Sequence, residues 1–245
     1  TAVCTNLQFW REKREMNWNE FFLVKYAPEI LQETATHILL VGISIGVATL
    51  VGIPLGIWIT RKPSLRQPIL GIANVLQTVP SLALFGFLIS VPLIGGIGAR
   101  TAIIALTLYS LLPIIRNTYT GIINVDPAIR EAGKGMGMTD RQLLLQVEIP
   151  LALGVILAGV RVATVIAIGI ATIAAAIGAG GLGVFVFRGI AMVNNQLILA
   201  GAVPAAVLAI LADWAIASLE RRLTRRGTQD REDREAEEQR GLVQS

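Results

Sequence analysis

The sequence has few of the residues from which enzyme and metal sites are most often built. It holds one cysteine, Cys4, and one histidine, His37, among 245 residues. A single cysteine excludes a disulfide framework and a thiolate metal site within one chain. We therefore predict no catalytic centre and no metal site. His37 stands at the start of an apolar run, and we interpret it as a residue at a helix end or at the membrane interface, in preference to a ligand.

Charge is also scarce, at 16% of the residues, whereas a soluble domain has about 25%. No charged residue occurs in 67–99 or in 162–187. A helix needs about 20 apolar residues to cross a hydrocarbon core of about 30 Å. The chain is therefore predicted to be an all-α polytopic membrane protein in contact with lipid. Its net charge of +4 comes from Lys and Arg beside apolar runs, which favours basic cytoplasmic loops over nucleic-acid binding.

Five apolar segments are predicted to span the membrane. Proline and glycine inside them are tolerated, because neighbouring helices and polar side chains satisfy the freed backbone groups. The second span is predicted to be broken near Pro80. The five segments are Ile38–Thr60, Gln67–Ser90, Thr101–Ile122, Pro150–Ala175 and Leu197–Leu219.

The basic residues of the connecting loops orient these spans. The loop after the first span reads RKPSLR, the loop after the third holds Arg130, Lys134 and Arg141, and the fifth is followed by ERRLTRRG. Loops rich in Lys and Arg stay on the cytoplasmic side. The pattern predicts an N-terminus outside and a C-terminus in the cytoplasm.

Three regions are predicted along the chain: an extracytoplasmic segment 1–35, a transmembrane domain 36–222 and a charged tail 223–245. Within 19–32 we predict an amphipathic interfacial segment interrupted by Pro28, with a packed extra helix as the alternative. The tail is predicted to be solvated, either poorly ordered or a frayed helix. We find no internal repeat, and five spans are too few to enclose a gated pathway, so a second copy or a paralogue is expected.

A polar segment, EAGKGMGMTDRQLLLQVEIP (131–150), separates the third and fourth spans. Asp126-Pro127 before it is typical of a helix start. Three glycines within five residues permit a sharp turn, and Thr139 with Gln142 predicts a capping box. Pro150 marks the end of the second helix or a kink. Residues 126–150, the coupling loop, are therefore predicted to form two short helices joined by a glycine elbow, either a structured connector or a docking surface.

This segment resembles the EAA loop of ABC-importer permeases, whose pattern is Glu-Ala-Ala, three residues, Gly, nine residues, Ile, one residue, Leu-Pro. Here Val147 and Ile149 replace the Ile and Leu, and glycine replaces the second alanine. The resemblance implies a coupling helix that fits a cleft in an ATPase subunit, and a glycine at 133 is expected to loosen its first helix. The implied coupling residues are Glu131, Ala132, Gly133, Gly137, Thr139 and Pro150.

Three further stretches, LQTVPSLALFGFLI (76–89), LYSLLPIIRNTYTGI (108–122) and IGAGGLG (177–183), look like permeases for glycine betaine, carnitine, choline and related osmoprotectants. This resemblance implies a five-helix type I importer core of the methionine-permease kind in a bacterial inner membrane. It also implies a second permease, two ATPase subunits and an external binding protein. ATP and Mg would be held by the ATPases, since this chain has no P-loop.

Polar residues beside Pro80 have two interpretations. Gln77 or Thr78 could satisfy the carbonyl freed near Leu76, or the group Gln77, Thr78, Pro80 and Ser81 could line the translocation path. Tyr109 and Tyr119 could offer ring faces to a quaternary ammonium.

Arg161 is predicted to lie near the cytoplasmic interface with its side chain reaching toward water. The alternative is an intramembrane charge paired with Asp213 near the path. The glycine-rich stretch 177–183 is predicted to form a re-entrant or broken helix on the outer side, with a flexible turn as the alternative.

Together these features predict the transmembrane subunit of an ATP-driven importer for quaternary-ammonium or zwitterionic osmoprotectants, without an ATPase site of its own. The alternative is a passive channel or a secondary carrier subunit for a small polar solute. An ion-coupled carrier needs ionisable residues within its spans. The candidates are Arg116, Arg161 and Asp213, and they leave the capped coupling loop unexplained.

Overall fold

The computed structural model describes residues 26–92 and 95–243, with side chains up to residue 223. This part of the chain is helical and contains no β-strand, which confirms the all-α prediction. Two 3₁₀ turns, Pro63–Leu65 and Ala175–Ile177, and a π-helical segment, Leu144–Glu148, join the α-helices. The α-helices are α1 Ala27–Arg61, α2 Arg66–Thr78, α3 Ser81–Ile89, α4 Ala99–Ile123, α5 Pro127–Gly135, α6 Asp140–Leu143, α7 Ile149–Ala174, α8 Gly183–Ala191 and α9 Asn195–Val243.

Four helical stretches within the described residues are long and apolar enough to cross a membrane. They are Ala27–Arg61, Ala99–Ile123, Asp140–Ile177 and Asn195–Leu223. Pro63–Thr78 and Ser81–Ile89 meet at a bend of 99° and make a fifth span if the pair is counted as one. These elements coincide with the five predicted segments.

The break in the second span follows from Pro80. Val79 has extended backbone (φ −64°, ψ 130°), as steric crowding by the following proline ring favours. The hydroxyl of Thr78 donates to the carbonyl of Val75 at 2.8 Å, and the hydroxyl of Tyr109 donates to the carbonyl of Val79. The predicted break is therefore confirmed, and α4 holds it in place.

Helix α4 lies at the centre of the bundle, against α1 and α7. Small residues allow this close approach, as in many membrane helix pairs. A Cβ atom added to Gly56 of α1 would lie 2.6 Å from Cβ of Thr118, and one added to Gly159 of α7 would lie 2.5 Å from Cβ of Asn117. The core around α4 is formed by fully buried residues of four helices, α1, α3, α4 and α7, among them Leu40, Phe85, Ala102, Ala105, Leu106, Ala167 and Ala171.

The first helix begins earlier than the predicted first span. Pro28 lies in the first turn of α1, where a missing N–H costs little, and its interruption of the pattern that precedes α1 stays a prediction. Residues 27–35 are continuous with the span, and no break in secondary structure occurs at residue 36. The rest of the predicted interfacial segment, and Cys4, lie outside the described residues. At the other end, the backbone of α9 stays helical into the predicted tail.

Candidate functional site

The coupling loop begins with the predicted capped helix. Oδ1 of Asp126 accepts a hydrogen bond from the backbone N–H of Ala128 at 2.8 Å, and Pro127 is the first residue of α5. This arrangement satisfies one of the free N–H groups of the first turn. The prediction of a helix start at Asp126-Pro127 is confirmed.

Gly133 lies inside α5 and is buried against α6. A Cβ atom at this position would lie 2.8 Å from Cδ1 of Leu143 and 3.2 Å from Sδ of Met138. The helix passes through Gly133 without a break, and the expected loosening stays a prediction. The glycine lets Leu143 pack closely onto α5.

Gly137 makes the elbow. Its φ of +81° is the left-handed conformation that glycine adopts at low cost, whereas Gly133 and Gly135 are helical. Its N–H donates to the carbonyl of Lys134 at 2.9 Å, and the N–H of Met138 donates to the carbonyl of Gly133 at 3.1 Å. These two bonds form a Schellman motif that closes α5.

The second helix starts with the predicted capping box. The hydroxyl of Thr139 accepts from the N–H of Gln142 at 3.3 Å, and Oε1 of Gln142 accepts from the N–H of Thr139 at 2.9 Å. Two N–H groups of the helix start are satisfied reciprocally. The elbow and the cap together fix the angle between α5 and α6.

Pro150 does not end the second helix, contrary to one of the two predicted outcomes. Helix α6 passes through the π-helical segment into α7, and the N–H of Ile149 donates to the carbonyl of Leu144. Because proline has no N–H and its ring crowds the carbonyl four residues earlier, an ordinary helical turn is unfavourable here. The wider π turn accommodates the proline ring, so the helix continues from α6 into α7.

The coupling loop has one packed face and one free face. Gly133 and Leu143 are buried on the packed face, while Glu131, Ala132 and Thr139 are exposed. Met136 at the elbow is 74% exposed. An exposed methionine between two capped helices gives the projection an adaptable apolar tip.

A buried carboxylate that was not predicted lies at the base of this projection. Glu148 has a side chain only 2% exposed. Its Oε2 accepts a hydrogen bond from Nη2 of Arg61, and Nε of Arg130 lies 3.1 Å from its Oε1 as an ion pair. Nη2 of Arg130 also donates to the carbonyl of Ile122. In the sequence, an acidic residue among apolar ones just before Pro150 could have indicated a buried charge. It could not have identified Arg61 and Arg130 as the partners of that charge.

The polar residues at the break in the second span differ in solvent exposure. Thr78 and Pro80 are exposed, and Gln77 and Ser81 are half-buried. The predicted compensation of the freed carbonyl near Leu76 is not what Thr78 provides: its hydroxyl donates to the carbonyl of Val75, which also accepts from the N–H of Val79.

The two tyrosines do not form one ligand site. Tyr109 is buried in the core with its hydroxyl on Val79, so its ring is enclosed by the protein instead of facing a path. The ring of Tyr119 is covered by the guanidinium of Arg66 at 4.8 Å, a cation from the chain itself. The sequence pattern could not distinguish these internal contacts from ligand contacts.

Arg161 and Asp213 meet between α7 and α9. Nε of Arg161 donates to Oδ1 of Asp213, and Nη2 donates to Oδ2 at 2.7 Å. The alternative pairing with Asp213 is therefore found, while the place of Arg161 near the cytoplasmic interface stays a prediction. A two-point contact of this kind matches the planar guanidinium to the carboxylate.

His37 is fully buried, so its predicted place at a helix end is wrong. Since α1 begins at Ala27, His37 lies well inside the helix. Its Nε2 lies 3.2 Å from the carbonyl of Ile168, and its Nδ1 accepts from the N–H of Leu182 at 3.3 Å. The carbonyl can only accept, so the ring proton resides on Nε2.

Two side chains on one face of α1, Glu33 and His37, accept hydrogen bonds from the glycine-rich stretch 177–183. Gly178, Gly180 and Gly181 all have positive φ, which favours a broken helix over a regular one and confirms the predicted break. One turn before His37, Oε2 of Glu33 accepts from the N–H of Gly181 at 2.6 Å. The stretch is thus fixed by side chains and is not a free turn. Among the described residues, no group of three or more His, Cys, Asp or Glu could hold a metal ion.

This bundle and its capped projection match a known family. Residues 52–225 match the model of the inner membrane component of binding-protein-dependent transport systems. The chain belongs to this family. It is an inner-membrane transport component, as the coupling loop indicated.

Several relatives are similar over most of their length. A carnitine transport permease protein of Listeria monocytogenes is 49% identical over 195 residues, which cover 79% of this chain and 86% of the relative. A glycine betaine/carnitine/choline transport system permease protein of Bacillus subtilis is 50% identical, covering 80% and 84%. An osmoprotectant import permease protein of Salmonella typhimurium is 46% identical, covering 84% and 97%.

The fold is also that of solved importers. An inward-facing structure of the MetNI methionine ABC transporter superposes with a TM-score of 0.73 at 22% identity, covering 80% of this chain and 96% of that one. An amino acid ABC transporter gives a TM-score of 0.67 at 18% identity, covering 83% and 96%. The predicted methionine-permease-like core is confirmed.

Proposed function

We propose that this chain is the transmembrane subunit of an ATP-driven importer that takes up quaternary-ammonium or zwitterionic osmoprotectants. The exposed coupling loop carries the proposal: both of its helices are capped at their N-termini, and their angle is fixed by the elbow at Gly137. The names of the relatives support the substrate class, since they include carnitine, choline and glycine betaine transport. The chain supplies the path, and ATP and Mg are bound by partner ATPases.

The proposed assembly contains two permease chains, two ATPase subunits and an external binding protein. The coupling loop faces the cytoplasm, with the N-terminus outside, as the basic loops favour. Glu131, Ala132, Gly137 and Thr139 shape the surface that enters the ATPase cleft, and Met136 is its exposed tip. The interrupted second span supports a path beside Pro80, where polar side chains are accessible.

The test is reconstitution of the complex in proteoliposomes with its ATPase and binding protein. We expect ATP-dependent uptake of labelled glycine betaine, choline or carnitine. Met136→Glu is expected to abolish co-purification of the ATPase, because a charge replaces the apolar tip. Met192→Glu is the matched control, since this methionine is 69% exposed at the opposite end of the bundle.

Two outcomes contradict the proposal. Uptake that persists without any ATPase favours the alternative, a passive channel or secondary carrier. ATP-dependent uptake restricted to a solute without a quaternary or zwitterionic nitrogen keeps the importer but overturns the substrate class.

A further inference from the structure

Glu148 joins the coupling loop to the helices of the bundle. Its carboxylate binds Arg61, the last residue of α1, and Arg130, in the first turns of α5. Arg130 in turn reaches the carbonyl of Ile122 near the end of α4. We propose that Glu148 is a positioning residue for transport, which makes α1 and α7 follow α5 when the ATPases move it. This inference rests on the proposed function of the coupling loop.

The three charged side chains differ in burial. The side chain of Glu148 is 2% exposed, whereas those of Arg61 and Arg130 are 39% and 24% exposed. An arginine that leaves this site regains water, but the carboxylate stays buried with one partner fewer. Because a buried charge is unfavourable unless it is well paired, a displacement of Arg130 with α5 pulls Glu148 along, and Glu148 in turn pulls Arg61. The carboxylate thus links movements that the backbone alone would leave separate.

Arg130 is suited to this link because it makes two different contacts. Its Nη2 donates to the carbonyl of Ile122, and its Nε lies 3.1 Å from Oε1 of Glu148 as an ion pair without a hydrogen bond. A guanidinium is planar and rigid, so the hydrogen bond to Ile122 fixes where its charge lies relative to the carboxylate. A lysine keeps the charge but not this geometry.

The π-helical segment places Glu148 directly before the cytoplasmic end of α7. Glu148 is the last residue of Leu144–Glu148, and Pro150 follows in the first turn of α7. Pro150 donates no backbone hydrogen bond, and π turns are frequent at functional sites in helices. A pull on Glu148 therefore acts on the cytoplasmic end of α7 where its backbone bonding is weakest.

The experiment compares variants in the full reconstituted complex, by measuring solute transported per ATP hydrolysed. Glu148→Gln keeps the shape and removes the charge. We expect it to bind the ATPase normally and to hydrolyse ATP, while transport per ATP falls about tenfold, within the range usual for coupling between sites. Glu29→Gln is the matched control, since Glu29 pairs with Arg188 at the other end of the bundle, with both side chains exposed. The complex with Glu29→Gln is expected to transport as much solute per ATP hydrolysed as the unmodified protein.

If Glu148 only stabilises the fold, Glu148→Gln should lower the amount of assembled complex and its melting temperature. The amount of solute transported per ATP hydrolysed should then be unchanged. An unchanged ratio in Glu148→Gln therefore overturns the inference. If that variant does not assemble, Arg130→Lys is measured in its place. We expect it to transport less solute per ATP hydrolysed, and an unchanged ratio would again overturn the inference. If the unmodified chain binds no ATPase, the proposed function fails and this inference fails with it.

Discussion

The guanidinium of Arg161 and the carboxylate of Asp213 bind each other at two points and tie α7 to α9. Arg161 lies roughly 18 Å along α7 from Ile149. Both side chains keep more than a third of their surface exposed on the single chain. Since charges are unfavourable against hydrocarbon, we expect this face to meet another subunit or a water-filled path in the assembled transporter.

Removing one member of this pair is predicted to be worse than removing both. Arg161→Leu leaves the carboxylate of Asp213 without its partner, whereas the double variant with Asp213→Leu leaves no charge unpaired. We expect uptake, normalised to the amount of complex in the membrane, to fall most in the single variant. Full uptake by Arg161→Leu would exclude a role of the pair in transport.

Two of the three glycines of the coupling loop, Gly133 and Gly137, are predicted to respond oppositely to substitution by alanine. Gly137 has a φ of +81°, so Gly137→Ala should destabilise the loop by about 1 kcal/mol. Gly133 is helical, where alanine is favoured by about 1 kcal/mol, and the atom nearest its Cβ is the terminal Cδ1 of the flexible leucine side chain at 143. We expect Gly133→Ala to retain or raise ATPase co-purification and Gly137→Ala to lower it. The reverse order would contradict the elbow described for this loop.

Thr139 is predicted to stabilise the second helix of the loop through its hydroxyl. Thr139→Ala removes the acceptor for the N–H of Gln142 and should cost about 1 kcal/mol. Thr139→Ser keeps an acceptor and is the control. Hydrogen exchange of residues 140–143 in the purified protein measures the difference, and equal protection in the two variants would argue against the cap.

The parts predicted correctly from the sequence depend on local chemistry. Asp126-Pro127, the box formed by Thr139 and Gln142, and the break at Pro80 each involve residues within a few positions of one another. A cap or a proline constrains the backbone beside it, whatever the rest of the fold is. Pro28 shows the limit, because a proline is equally compatible with opening a helix and with interrupting one.

The parts that were missed depend on residues distant in sequence. His37 bonds partners 131 and 145 positions away, and Glu148 pairs with an arginine 87 positions away. An apolar pattern shows that a helix is packed but not which helix covers a given side chain. The buried Glu148 could be suspected from its apolar neighbours, while its choice of Arg61 and Arg130 follows from the packing of four helices.

His37 is predicted to stabilise the outer end of the bundle. It bridges the carbonyl of Ile168, which lies inside α7, and the N–H of Leu182, so His37→Leu leaves the buried N–H of Leu182 unsatisfied. We expect a loss of about 2 kcal/mol in the free energy of unfolding, since such a group costs about 1–3 kcal/mol. Thermal unfolding in detergent measures this, with the exposed Gln32→Ala on the same helix as the control. Equal melting temperatures would mean that the glycine-rich stretch is held without His37, and Glu33→Gln would then test whether its contact with Gly181 suffices.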